Sequence, residues 1–282
     1  MEEKPSSSSS APGGSAGARL GEPVVIVGIG ELGSLFARGF LRLGHPVVPV
    51  VRGMSPLEVA GRAPTPELVL VAVAEADLDP VLSSLPPAYR RRTALLQNEL
   101  LPRDWERHGL EDPTVIVVWF EKKANRPVKS LLPSAVYGPG AELAARAIEQ
   151  NALPVRRLAS PEELLLELVT KNLYILSINL AGLPVGGTVR ELREHHADWL
   201  RAVTDEVLDL QEELVGSALP RGELLKRREA AFDADPDHVA TGRSAPARLA
   251  RALDDARRLG VPVPTLEALQ LRVAESVRDG TG

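Results

Sequence analysis

The chain contains no cysteine. Disulfides, thiolate nucleophiles and cysteine-based metal sites are thereby excluded, which fits a reducing compartment and makes the cytoplasm the expected location. An excess of basic charge is also missing. Lys and Arg number 33 against 38 Asp and Glu, for a net charge of −5. Without a general positive field, nucleic acid is not an expected partner, and an anionic ligand needs a local site. No apolar run approaches the roughly 18 to 20 residues that span a bilayer, so no membrane partner is expected. The first 20 residues, MEEKPSSSSSAPGGSAGARL, lack the apolar centre of a signal peptide and read as a disordered tail. What is present, 282 residues at 44% hydrophobic and 25% charged, suffices for one large or two medium domains.

From about Gly21 to Arg157, short apolar runs alternate with helical patterns. Strands are expected at Val24–Val27, Val47–Val51, Leu68–Ala74, Thr93–Leu96, Val115–Phe120, Ala135–Tyr137 and Val155–Leu158. Helices are expected at Glu31–Leu43, Leu78–Ser84 and Ala141–Asn151. Apolar strands alternating with helices imply a parallel sheet covered on both faces. After Ser160 strand patterns stop. Ser160-Pro-Glu-Glu heads a helix running to about Leu180, with a capping serine, a first-turn proline and acids at the positive end of the dipole. Thr188-Val-Arg-Glu191 is a capping box heading another helix to about Val215. Further helices are expected at Arg221–Phe232, Ala245–Leu259 and Thr265–Val277. The expected layout is a tail (1–20), an α/β domain (21–159) and an all-α domain (160–282).

Within the first unit stands VVIVGIGELGSLFARGF, a strand, then G-x-G-x-x-G, then a helix. This is the Rossmann dinucleotide fingerprint in its required context. Gly28 permits the tight turn, Gly30 lets the backbone approach a pyrophosphate, and Gly33 lets helix pack closely on strand. The amides of Ile29, Gly30, Glu31 and Leu32 then point at the phosphates, aided by the helix dipole. An NAD site usually carries Asp or Glu at the end of the second strand. Here Val50-Val51-Arg52 occupies that place. A guanidinium pairs with a 2′-phosphate where a carboxylate repels it, so the expected cofactor is NADP rather than NAD. The plainer reading of Arg52 is a solvated surface residue.

The order of parts resembles the ketopantoate reductase family of the 6-phosphogluconate dehydrogenase-like group. GIGELG resembles the family's N-terminal glycine motif, and Leu95-Leu-Gln-Asn98 its "LQNG" turn. Asn151-Ala-Leu-Pro-Val resembles "AGLPV", and Val169-Thr-Lys171-Asn-Leu the helix motif "W-x-K-L". Gly242-Arg243 with Leu259-Gly-Val-Pro-Val-Pro264 resembles the C-terminal "GRPTE…LGIPTP". The resemblance implies an NADP-dependent reductase, with a Rossmann domain, a helical domain and the active site between them. It implies a basic residue for the 2′-phosphate at Arg52, an asparagine near nicotinamide and substrate at Asn98, a catalytic lysine at Lys171 and a further asparagine at Asn179. Three positions depart from the family. Ile175 stands where it has an asparagine one turn after the lysine. Val239 to Leu253 contains no acid to match the glutamate that binds substrate hydroxyls. Glu99 replaces the glycine of "LQNG", placing a carboxylate near the nicotinamide end.

Reduction of a ketone leaves an alkoxide that needs a proton, and a lysine of lowered pKa in an interdomain cleft can supply it. Lys171 lies within the otherwise apolar ELVTKNLYILSINLAG. It reads as general acid, or more plainly as a snorkelling or ion-paired lysine. Asn98 follows a buried strand at the end of the sheet where ligands bind, or is a turn asparagine. Asn179 orients substrate or bonds a carbonyl across helices. Lys122 and Lys123 attract an anionic substrate or belong to a solvated loop. His195-His196 reads as a polar helix face, and no metal site is expected. The expected activity is NADP-dependent reduction of a small anionic keto acid or similar carbonyl, with ketopantoate itself disfavoured by the two missing contacts. The alternative is a non-catalytic or regulatory NADP-binding protein that kept the fold. The helix Leu164–Leu180 is expected to be buried within one chain or across a homodimer.

Overall fold

The computed structural model describes residues 20–279. Positions 1–19 of the expected tail lie outside them. The first half contains, in chain order, β1 (Val24–Val27), α1 (Glu31–Arg42), β2 (Val47–Val50), α2 (Pro56–Ala60), β3 (Leu68–Val71), α3 (Leu78–Ser84), α4 (Pro87–Arg90) and β4 (Thr93–Leu95). It continues with α5 (Pro102–Glu106), β5 (Thr114–Val117), β6 (Phe120–Glu121), β7 (Lys129–Ser130), β8 (Ser134–Tyr137), α6 (Ala141–Glu149) and β9 (Val155–Arg157). Helices α7 (Pro161–Gly182), α8 (Val189–His195), α9 (Ala197–Val215), α10 (Arg221–Ala234), α11 (Ala245–Leu259) and α12 (Pro264–Asp279) form the second half. This is a Rossmann-like sheet unit followed by an all-α unit.

Seven strands form one sheet in the order β2-β1-β3-β4-β5-β8-β9. The chain leaves β1 for β2 on one side, then crosses to β3 on the other. That reversal opens a crevice beyond the strands' carboxyl ends, where open α/β sheets bind ligands. All pairings are parallel except β5 with β8. An antiparallel neighbour needs no crossover helix, and the segment joining β5 to β8 holds only the β6–β7 hairpin.

Side chains alternate across the sheet with the strand period of two. Val24, Ile26, Leu68 and Leu70 face α1 and α6, meeting Phe36, Phe40 and Ile148. Val25, Val27, Val69 and Val71 face the other way, into a core that runs without a break into the helical half through Leu168, Leu173 and Leu180 of α7. The two halves therefore share apolar packing, which fixes how the cleft between them is shaped.

Helix α7 is the axis of the second half. Ser160 caps it by accepting from the Glu163 amide. By length and composition it is apolar enough to cross a membrane (22 residues, mean hydropathy 1.4), contrary to the expectation that no segment approaches that length. Yet 83% of that window is buried inside the protein, against α9, α10 and α11. A helix apolar on all sides is a core helix when other helices surround it, and here they come from its own chain. The capping box at Thr188 and Glu191 forms as expected. The single helix expected from there to Val215 is interrupted at His196, whose backbone (φ −134°, ψ 32°) leaves the helical region. Neither proline nor glycine marks that break in the sequence.

Candidate functional site

Of the concave features at the carboxyl ends of the strands, two hold the residues expected at the site. The first is a groove of 1010 Å³ lined by Gly28, Ile29 and Gly30 after β1, Arg52 after β2, and Val73 and Ala74 after β3. Gly28 has φ +93° and its Cβ position falls 2.7 Å from the Ala72 carbonyl, so only glycine fits the turn. A Cβ on Gly33 would fall 2.0 Å from the Gly28 carbonyl oxygen, which enforces glycine where α1 meets β1. Gly30 differs, because a Cβ there would meet nothing within 4 Å. Its glycine is not required by the protein's own packing and leaves room beside the backbone. Gly30 is also the N-cap of α1 and no side chain caps the helix, so the first-turn amides keep their capacity for an anion. Arg52 is exposed at the groove and has no ion-pair partner among the described residues. These features fit a dinucleotide.

The expected phosphate-binding turn is not uniform. Gly28, Ile29, Gly30 and Arg52 line the groove, whereas Gly33 serves helix packing. Glu31 pairs with Lys122 at 3.2 Å. Leu32 lines the second cavity, so the first turn of α1 borders both features.

That second cavity, 350 Å³, lies between the two halves. Asn98 reaches it from the end of β4, Phe120 and Lys123 from the hairpin, and Lys171, Tyr174, Ile175 and Asn179 from α7. His238, Arg243 and Arg248 reach it from the α10–α11 loop and α11. The structure thus brings Asn98, Lys171 and Asn179 together, three residues distant in sequence. Lys171 is half-buried, and its Nζ lies 4.2 Å from the centroid of the Trp119 ring and 5.5 Å from that of Tyr174. It makes no hydrogen bond or ion pair among the described residues. Glu167, one turn earlier, is spoken for: its carboxylate accepts from the Trp119 indole at 2.6 Å and pairs with Arg156. Burial, with the Arg248 charge adding, lowers the Lys171 pKa to about 7, and Glu167 only partly offsets this. Of the readings open for Lys171, the ion pair is therefore not formed.

Asn179 accepts from Arg248 Nη1 at 2.5 Å and donates to the Ala240 carbonyl at 3.3 Å, so it does bond a carbonyl across elements. Asn98 donates to Glu75 at 3.2 Å. Both basic residues of the Lys122-Lys123 pair are engaged, Lys122 with Glu31 and Lys123 with Glu121 at 2.7 Å.

Arg248 was not singled out by its sequence context, and it dominates the cleft. It is 8% exposed. Its guanidinium donates to Glu99 at 2.8 Å, to Glu75 at 3.2 Å and to Asn179, so one side chain joins the sheet half to α7. Arginine is suited to this because its planar fork serves several acceptors at once. Glu99 is not among the residues that line this cavity. Its carboxylate turns to α11, accepting from Arg248 and from Arg251 at 2.6 and 3.1 Å. Where the resemblance called for an acid on this segment, a cation stands at the cavity instead. Sequence could have flagged it, since Arg248 sits at an otherwise apolar helical position three residues before Arg251.

A Rossmann half whose glycine-motif groove opens beside a cleft closed by a helical half is a fold known from solved two-domain dehydrogenases. Among these, the chain shares the fold of the ketopantoate reductases. It is similar to 2-dehydropantoate 2-reductase from Methylococcus capsulatus (15% identity, TM-score 0.67, covering 91% of this chain and 97% of that one). It is likewise similar to the dimeric ketopantoate reductase from Staphylococcus aureus (17%, 0.58, 90% and 99%). A third neighbour is D-mandelate dehydrogenase, solved with NADH and anilino(oxo)acetate (12%, 0.63, 90% and 97%). No family model and no curated protein matches the chain by sequence.

Proposed function

We propose that the protein is an NADP-dependent reductase of a small anionic keto acid, acting in the cleft between its two halves. The observation that carries this reading is the free ammonium of Lys171, held beside Trp119 in a cavity that adjoins the glycine-motif groove. Gly28, Ile29, Gly30, Glu31, Leu32 and Gly33 would form the pyrophosphate turn, and Arg52 would receive the 2′-phosphate. Such a cofactor, when bound, would supply the hydride for the carbonyl carbon. Lys171 polarises the carbonyl oxygen beforehand and gives it a proton afterwards, so the ketone becomes an alcohol and the lysine becomes neutral. A group whose pKa stands near 7 suits this exchange at neutral pH. Asn98, from the sheet half, and Asn179, from α7, line the same cavity and orient the substrate. Ile175 in place of an asparagine, and the lack of any acid from Val239 to Leu253, argue against ketopantoate itself. A homodimer and a cytoplasmic location accord with this reading.

NADPH and NADH titrations followed by fluorescence, then a keto-acid panel with wild type and Lys171→Ala, test it. NADPH binds tighter than NADH, and Arg52→Glu narrows the difference. Turnover falls by about 10²- to 10⁴-fold in Lys171→Ala and declines above pH 7 in wild type as the lysine loses its proton. Turnover that survives Lys171→Ala unchanged removes Lys171 as donor. One observation favours the non-catalytic alternative: Arg248, Glu75, Glu99 and Asn179 already satisfy one another across the cleft. NADPH binding without turnover of any keto acid supports it.

A further inference from the structure

The cavity contains a second titratable device, on the loop between α10 and α11. His238 lines the cavity, with its ring centroid 6.4 Å from that of Tyr174. Its backbone is held on both sides. The amide donates to the Asp235 carbonyl at 3.1 Å, the carbonyl accepts from the Val189 amide at 2.9 Å, and Val239 bridges to Thr188. Nδ1 of the imidazole stands 3.4 Å from Oδ2 of Asp235. Asp235 is 4% exposed, and its other oxygen pairs with Lys129 at 2.8 Å. Oδ2 itself has no hydrogen-bond partner, and neither does the buried Tyr174 hydroxyl. A buried carboxylate oxygen left unbonded is costly, and a proton on His238 Nδ1, 3.4 Å away, is a donor within reach. That tautomer leaves Nε2 for the cavity.

The geometry points to His238 as the residue that receives the substrate carboxylate, in its protonated form, with Asp235 as the positioning residue behind it. This rests on the proposed keto-acid reading and names how the acid group is held. Burial opposes the imidazolium in the empty cavity and Lys123 adds to that, while Asp235 and Glu121 favour it, for a net lowering of the pKa. Lys171, Arg243 and Arg248 bring further positive charge to the same cavity. An incoming carboxylate reverses the balance, since it rewards the charged form. Anion binding is therefore coupled to uptake of a proton by His238, and weakens as pH rises.

The test uses the full chain and three probes, oxamate, pyruvate and 2-oxoglutarate. The His238 ring resonance is followed by NMR across pH 6 to 9 and assigned by its loss in His238→Gln. Proton uptake is read by calorimetry in two buffers of different ionisation enthalpy. Lys171 also titrates near neutrality, so both measurements are repeated in Lys171→Met. At least one probe is expected to raise the His238 pKa. In Lys171→Met, proton uptake should persist, and each pH unit above that pKa should weaken binding about tenfold. Adding His238→Gln should abolish both, and Asp235→Asn should move the pKa further down. Uptake that vanishes in Lys171→Met but survives in His238→Gln overturns the inference. So does the failure of all three probes to move the His238 resonance. NADPH binding and turnover are scored separately, so a loss of the reductase reading is distinguishable from a loss of this one.

Discussion

Glu99 occupies a left-handed backbone position, φ 62°, at the site where the resembled family has glycine. The left-handed region costs a residue with a Cβ about 1 kcal/mol or more. Glu99→Gly removes that strain, although glycine's larger unfolded-state freedom takes back part of the gain. Against it stands the carboxylate's bonding to two arginines at 2.6, 2.8 and 3.1 Å. Stripping all partners from a buried charge costs about 3–5 kcal/mol. Arg248 keeps Glu75 and Asn179, so a loss of about 2–3 kcal/mol is the reasonable share here. The net is a destabilisation of about 2 kcal/mol, or about 4 °C in melting temperature for a chain of this length. Glu99→Ala loses the carboxylate and keeps the strain, so it melts below Glu99→Gly by about another 1 kcal/mol. Thermal and urea unfolding of the three proteins read the order directly: wild type, then glycine, then alanine. Glu99→Gly melting at or above wild type, or alanine matching glycine, refutes the claim that ion pairs to α11 hold a non-glycine residue there.

Gly30→Ala leaves stability within about 0.5 kcal/mol of wild type, because its Cβ meets no protein atom within 4 Å, yet weakens NADPH binding at least tenfold by fluorescence titration. Gly33→Ala, whose Cβ would strike the Gly28 carbonyl, is expected to lower the melting temperature as well. Lys171→Met abolishes turnover but stabilises the fold. The folded-state pKa of about 7 lies below the ordinary value of 10.5, so between those pH values the unfolded chain binds the extra proton. Wild-type stability thus falls as pH drops from 10.5 to 7, and the full penalty stands below 7. Urea titrations should show Lys171→Met more stable by about 2 kcal/mol at pH 6, less than the whole shift implies because the ammonium reaches the open cavity, with the gain fading towards pH 10.

Much of this was legible in the chain. Glycine spacing, apolar strand runs and the caps at Ser160 and Thr188 are local signals, and they located the groove and the long helices. Lys171 stood out because a charge in an apolar helix is unusual. The antiparallel β8 follows a connection that holds the β6–β7 hairpin in place of a helix, a weaker cue. Glu75, His238 and Asp235 carried no local signal, and Arg248 only that of a charge at an apolar helical position, because their meaning comes from the packing of α7 and α11 against the sheet. Glu99 shows the same limit from the other side. Its identity was noticed, but its direction was set by two arginines some 150 positions away in sequence.

Arg248 also constrains how this protein can change over evolutionary time. An acid at that one position would set its carboxylate beside those of Glu75 and Glu99, with Arg251 the remaining ion-pair partner of Glu99. The wall of the cavity and the clasp between the halves are the same side chain, so selectivity cannot drift independently of assembly. Residues that share one network do not vary additively. Glu99, Arg248 and their neighbours therefore have to be replaced in concert, in a fold shared with the neighbours described at identities of 12–17%.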